Sequence, residues 1–303
     1  MSQIEQQLIN GLALGAIYAL IAIGYTMVYG VLRFINFAHS DVLMLGAFAA
    51  YFLAPLSERV FGPQSITGAI CVVVASSALC AGIGMLIELL AYRPLRNRPK
   101  LAVLITAIGV SLLIEYTCQH KAVFKAETKP FPRLFPSQDF RFGGLAISSN
   151  DIVVLLVTVV LLGILWFVVQ RTRIGTAMRA VSFNHQAAAL MGININRVIS
   201  FTFGLGSALA AVAGILYAMK APGIEPLMGV QPGLRAFIAA VVGGIGNLPG
   251  AAIGGVLLGA LETFAGGIPG ISNYRDGIAF AILILILLFK PAGLLGRVQT
   301  EKV

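Results

Sequence analysis

From Gln6 to Leu32 the chain carries no charged residue, and such runs recur at Val42 to Ser57, Val60 to Ile87, Ile152 to Gln170, Val198 to Met219, Ala236 to Leu261 and Gly277 to Phe289. Leu101 to His120 belongs with them, interrupted only by Glu115. A helix needs about 20 mostly apolar residues to cross hydrocarbon. In lipid no water can satisfy the backbone, so a spanning segment must satisfy its own N–H and C=O groups. The runs therefore predict an all-α polytopic integral membrane protein with about eight hydrophobic segments, lying in a lipid bilayer as one transmembrane domain over 1–303. Two runs are short. Val42 to Ser57 ends near Pro55, and Gly277 to Phe289 can lengthen only if Lys290 snorkels to the headgroups. Both are expected to be tilted, broken or interfacial.

Composition closes the soluble alternatives. Charged residues make up 11% of the 303, against about one quarter in a water-soluble domain, and 58% are hydrophobic. A formal charge of +9 would suit a polyanion in a soluble protein, but here no nucleic-acid partner is expected. The basic residues are instead a topology signal. Twelve of them sit in Arg33, the cluster Arg93, Arg96, Arg98 and Lys100, the set Arg171, Arg173, Arg179 and Arg197, and the tail with Lys290, Arg297 and Lys302. We read those segments as cytoplasmic, including 171–199, and 121–150 as an extracytoplasmic loop. The first run is too long for a signal-peptide core and reads as a retained span.

Parity then isolates one segment. A single crossing at Ala236 to Leu261 would put the basic tail outside. Ten glycines fall between Gly243 and Gly270, and the stretch Gly243, Gly244, Gly246, Asn247, Pro249, Gly250 is a poor helix interior. A broken re-entrant hairpin over about 236–261 is expected, its arms entering and leaving on one face.

Enzyme signatures are absent. No phosphate-binding P-loop, dinucleotide fingerprint or nucleophile elbow occurs. Cys71, Cys80 and Cys118 lack metal-ligand spacing, so the chain is expected to be non-catalytic, with no metal and no cofactor of its own. Gly11 and Gly15, Gly250 and Gly254, and Gly255 and Gly259 are spaced for close helix approach. Ionisable residues in spans often mark pathways. Glu88 reads as a partner of the Arg93 cluster, while Glu115 and Glu262 are what a proton-coupled secondary transporter would use.

Two polar features stand out. Asn36 to Asp41 opens the second run, where capping of the helix N-terminus by Ser40 or Asp41 and re-entrant packing are favoured over metal binding by His39 and Asp41. Gln186, Ala187, Ala188 and Gly192 lie in a helix-compatible stretch between Arg179 and Arg197. That stretch suits docking into a groove on a soluble partner, or an ordinary amphipathic loop helix.

Ordered blocks nearly end to end carry a resemblance: NGLALGAIYALIAIGYTMVYGVLRFINFAHSDVLMLGAF, LITAIGVSLLIEY, RTRIGTAMRAVSFNHQAAALMGININRVISFTFGLGSALAAVAGILYA, GLRAFIAAVVGGIGNLPGAAIGGVLLGALE and YRDGIAFAILILILLFKPAGLLG. The chain closely resembles the branched-chain amino acid ABC transporter permeases, specifically the smaller subunit of the paired Leu/Ile/Val permeases. The resemblance implies an inner-membrane translocation subunit of an ATP-driven importer. Its implied partners are a second homologous permease, two ATP-binding subunits that carry the ATP and Mg, and a periplasmic amino-acid-binding protein. The importers' E-A-A-x-x-x-G coupling pattern maps onto Gln186, Ala187, Ala188 and Gly192, with Gln186 in place of the usual Glu. The implied coupling segment also includes Arg171, Arg173, Arg179 and Arg197. A translocation path or its packing is expected at Asn36, His39, Gly243, Gly244, Gly246, Asn247 and Gly250. Permeases for urea and short amides, or for sugars, share the design and stand as alternatives.

Overall fold

A computed structural model describes residues 2–296 other than 97, 137, 143–144, 222, 269 and 271. The tail residues Arg297 and Lys302 lie outside the described residues. Among the described residues, seven helices are long and apolar enough to cross a membrane. They are α1 (Ser2–Leu32), α2 (His39–Phe61), α3 (Ile66–Ile87), α4 (Lys100–Gln119), α5 (Ser149–Arg171), α8 (Ile195–Lys220) and α10 (Leu248–Gly267). Between and after them run the shorter α6 (Arg173–Phe183), α7 (His185–Leu190), α9 (Val230–Gly243) and α11 (Arg275–Phe289).

Burial sorts these helices. α1 and α8 form the interior, with Ala13, Ile17, Leu20, Ile21, Phe203, Ala210 and Ile215 all nearly inaccessible. α3, α4 and α5 turn apolar side chains such as Val74, Ile105 and Phe167 outward. Lipid tails are as apolar as those side chains, so helix association must come from packing rather than from hydrophobic exclusion. The glycine spacing supplies it. A Cβ added at Gly15 would lie 2.7 Å from the Val256 Cα, and one at Gly11 would lie 2.9 Å from the Ala260 Cα. α1 and α10 therefore run antiparallel with their backbones in contact. Gly24 faces His39, Gly46 faces Ala211 and Gly84 faces Ser207, which ties α1, α2, α3 and α8 into the same centre.

Several expected boundaries move. α2 is one continuous helix of 23 residues with Pro55 inside it, because an exposed proline near one end removes a single backbone bond that a long spanning helix can lose. Its start doubles back: His39 abuts Gly24, well inside the end of α1, so the polar Asn36 to Asp41 stretch re-enters the bundle. Gly62, at φ +84°, separates α2 from α3. α3 continues past its apolar run through a π-helical turn at Glu88–Tyr92 and a 3-10 turn at Arg93–Leu95.

The break at 244–247 joins α9 to α10 as an antiparallel pair, Gly243 facing Gly250 and Gly254 facing Ala239. The arms are longer than expected and unequal: α9 has 14 residues, while α10 has 20 and is long enough to cross by itself. They are therefore not two half-helices confined to 236–261. The turn also lies near the end of the bundle, in a cavity of about 590 Å³ that Arg33 and Arg179 help to line. After α11 the chain folds back onto it, Leu294 N donating to the Val242 carbonyl at 2.8 Å and Leu295 N to that of Gly243 at 3.0 Å. At the other end, β1 (Lys129–Pro130) pairs with β4 (Gly223–Ile224), and β2 (Asp139–Phe142) with β3 (Leu145–Ser148), both antiparallel. The 121–150 stretch is thus partly a hairpin, which an all-helical reading does not foresee.

Candidate functional site

The segment after α5 is cut into successive helices by three polar side chains that cap helix N-termini. Thr172 accepts from Gly175 N at 3.2 Å, Asn184 from Ala187 N at 3.0 Å and Asn194 from Arg197 N at 3.1 Å. Each satisfies an otherwise orphaned N–H and fixes a helix start. Gly192, at φ +81°, ends α7 in the left-handed conformation that glycine adopts without strain, its N–H on the Ala189 carbonyl at 2.9 Å. The outcome is a short bent pair, α6 and α7, held across the ends of α1 and α5.

Its anchoring is specific. Ser182 Oγ donates to the Gly30 carbonyl at 2.6 Å, and a His185 ring nitrogen lies 3.0 Å from the Val31 carbonyl. Arg179 donates to the Val169 carbonyl at the end of α5. Arg171 lies over the Trp166 ring at 5.7 Å. Arg173 and Arg197 are exposed and form no ion pair with a described residue. Gln186 and Ala187 are also exposed, whereas Ala188 is only 3% exposed and packs against its own chain. The side chains that project are Phe183, Leu190 and Met191, each more than four-fifths exposed. Sequence reading passes over these three because large apolar residues are commonplace in this chain. The signal for their exposure lies in the caps at Asn184 and Asn194, which set how α7 is turned.

The path-or-packing residues lie apart from this pair. Asn36 accepts from the Tyr92 hydroxyl at 2.6 Å in the interior. His39 is buried with its ring 4.7 Å from that of Tyr25. Gly243 and Gly250 bring α9 and α10 backbones together, Gly244 and Gly246 have φ +109° and +93°, and Asn247 caps α10 while donating to the Leu295 carbonyl at 2.6 Å. The four glycines and Asn247 are placed where they hold backbone geometry, whereas Asn36 and His39 make side-chain contacts.

Glu88 and Glu262 are paired, whereas the buried Asp41 forms no ion pair with a described residue and accepts from the Ser111 hydroxyl at 2.5 Å. Glu88 accepts from Arg93 at 2.9 Å, from Ser200 at 2.6 Å and from Arg96. Arg235 reaches into the bundle to Glu262 at 2.5 Å, Asp276 at 2.7 Å and Tyr18 at 3.1 Å. Two of the three span glutamates therefore have counterions, as an isolated carboxylate there requires. Among the described residues no group of three or more His, Cys, Asp or Glu is brought together to hold a metal.

The family described as the permease component of the branched-chain amino acid transport system matches residues 7–287. The chain belongs to that family. A high-affinity branched-chain amino acid transport permease of Pseudomonas aeruginosa, BraD, is 43% identical over 98% of this chain and 97% of its own length. LivH of Escherichia coli, with the same described role, is 39% identical over the same shares. A ribose import permease of Haemophilus influenzae, RbsC, is 32% identical but over only 42% of this chain and 41% of its own. The full-length matches favour the amino-acid permeases over the sugar permeases. The permease is thus a multi-pass inner-membrane protein and the permease component of an ABC transporter.

Proposed function

We propose that this permease is the translocation subunit through which an ATP-driven importer carries branched-chain amino acids, and that α6 and α7 are where a partner ATPase pushes. The observation that carries the reading is the full-length likeness to branched-chain amino acid permeases. The geometry supports the coupling role. Phe183, Leu190 and Met191 present apolar surface on the side read as cytoplasmic, of the kind that fills a partner's pocket. A push there reaches the end of α1 through Ser182 and His185. α1 in turn meets α10 backbone to backbone, so a displacement passes on as a rigid-body shift instead of being absorbed by side chains.

A second homologous permease, two ATP-binding subunits and a periplasmic binding protein complete the proposed importer. The test is leucine uptake into proteoliposomes holding the assembled complex, with ATP inside and the binding protein outside. Phe183→Ser with Met191→Ser is expected to weaken retention of the ATPase subunits by about 2 kcal/mol, the level of an interface hot spot, and to lower uptake in step. Full ATPase retention and uptake in that variant would refute the docking role.

A further inference from the structure

A cavity of about 970 Å³ lies at the end of the bundle between the coupling pair and the connection from α3 to α4. Its wall carries five cations, Arg33, Arg93, Arg96, Arg98 and Lys100, and no aspartate or glutamate is among the described residues lining it. Glu88 is fully buried and already bound to Arg93, Arg96 and Ser200. Arg33, Arg98 and Lys100 form no ion pair with a described residue. The buried Nε of Arg96 has no hydrogen-bond partner. Arg33 is one of few non-glycine residues at positive φ, +57°. Such strain persists only where the surroundings impose it, and here it sits at a residue that lines the cavity.

Basic residues on the cytoplasmic side are expected of any membrane protein, but scattered ones would not converge on a single hollow. The position of the hollow says what fills it. Its wall contains the C-terminal end of α1, the start of α4 and the start of α8, so it lies at headgroup depth. Flanking the 93–100 connection in sequence, Leu90, Leu101 and Ile105 turn outward with 61–67% exposure. Unpaired cations bordered by an outward apolar face match a molecule with an anionic head and a hydrocarbon body. Guanidinium groups suit phosphate oxygens in particular. We propose that this groove binds the phosphate headgroup of an anionic phospholipid from the leaflet on that side, which bridges the α3–α4 connection to the coupling helices.

The proposal rests on the membrane orientation and assembly given above, so its test reads lipid and not transport. The intact complex is exchanged into detergent containing equal phosphatidylglycerol and phosphatidylcholine, and bound lipid is counted by native mass spectrometry. The wild type is expected to retain phosphatidylglycerol selectively. Retention should fall at least about tenfold in the triple variant Arg33→Gln, Arg98→Gln, Lys100→Gln, as loss of three cations near an anionic surface implies. A charge-keeping variant, Arg33→Lys with Arg98→Lys, should keep most of it, which separates lost charge from failed folding. Equal retention of the two lipids, or unchanged retention in the triple variant, overturns the proposal. So does displacement of the lipid by millimolar inorganic phosphate, which would mark a soluble-anion site. Loss of the ATPase subunits with lipid retained would assign the groove to a protein partner and overturn it as well. Leucine uptake by the same variants in proteoliposomes reports separately on the import reading.

Discussion

Glycine serves two different physical needs in this chain, and substitution tells them apart. At Gly15 the need is closeness: an added Cβ would meet the Val256 backbone at 2.7 Å. Gly15→Val should therefore force α1 and α10 apart at a cost of about 1–3 kcal/mol, the range for overpacking a close-packed interior. It should appear as faster thermal inactivation of the purified permease. Gly82 has open space where its Cβ would go and an ordinary helical backbone. Gly82→Ala should be neutral or stabilising by up to about 1 kcal/mol. A Gly15→Val protein as durable as the wild type would mean that the backbone contact is not what holds α1. Gly192 answers the other need, supplying the positive φ that ends α7. Its place in the small-residue coupling pattern is legible in the sequence, but the sequence does not show that Ala188, in the same pattern, faces inward.

Among the elements, α3 shows how a charged pair extends a spanning helix. Its apolar run ends at Ile87, yet the helical path continues to Leu95 because Glu88 is held by Arg93, Arg96 and, across to α8, Ser200. The pairing of Glu88 with the Arg93 cluster is legible from their spacing, while the link to Ser200 depends on which helix lies alongside. Glu88→Gln leaves two guanidinium groups adjacent without their counterion. Breaking a buried pair in this way should cost about 3 kcal/mol, read as a drop of roughly 5–10 °C in the midpoint of thermal unfolding in detergent. An unchanged midpoint would show that the arginines find water or other acceptors. The hairpin of α9 and α10 is half legible. Glycine and proline density marks the break, but arm length does not follow from it, because α9 starts within the bundle, where Gly229 and Gly233 abut Ser40.

For the whole molecule, the ends of the elements separate into two sets. The end of α1, the 93–100 connection, the coupling pair, the 244–247 turn and the stretch after α11 lie at one end of the bundle. The start of α1, the β2–β3 hairpin and the Asp151–Lys220 pair lie at the other, Gln6 bonding to Ala146. In a background lacking the exposed Cys71, Asn184→Cys and Ala292→Cys should react with an impermeant maleimide only from the cytoplasm. Lys125→Cys should react only from outside. Labelling of position 292 from outside would sink the arrangement in which the α9–α10 hairpin enters and leaves on one face.

The sequence by itself determines the membrane class, the positions of the crossing helices, the break near Gly243 to Gly250 and the uneven distribution of basic residues. Each of these follows from transfer free energy or local backbone preference, properties that a short stretch carries with it. Only the tertiary structure decides that Arg235 serves Glu262 and Asp276, that Ala188 is covered while Phe183, Leu190 and Met191 project, and that Arg33 shares a hollow with Arg98 and Lys100. The physical reason is that a spanning helix apolar on every side carries no polar stripe to mark its inward face. Its rotation and its neighbours are set by where small residues let backbones meet.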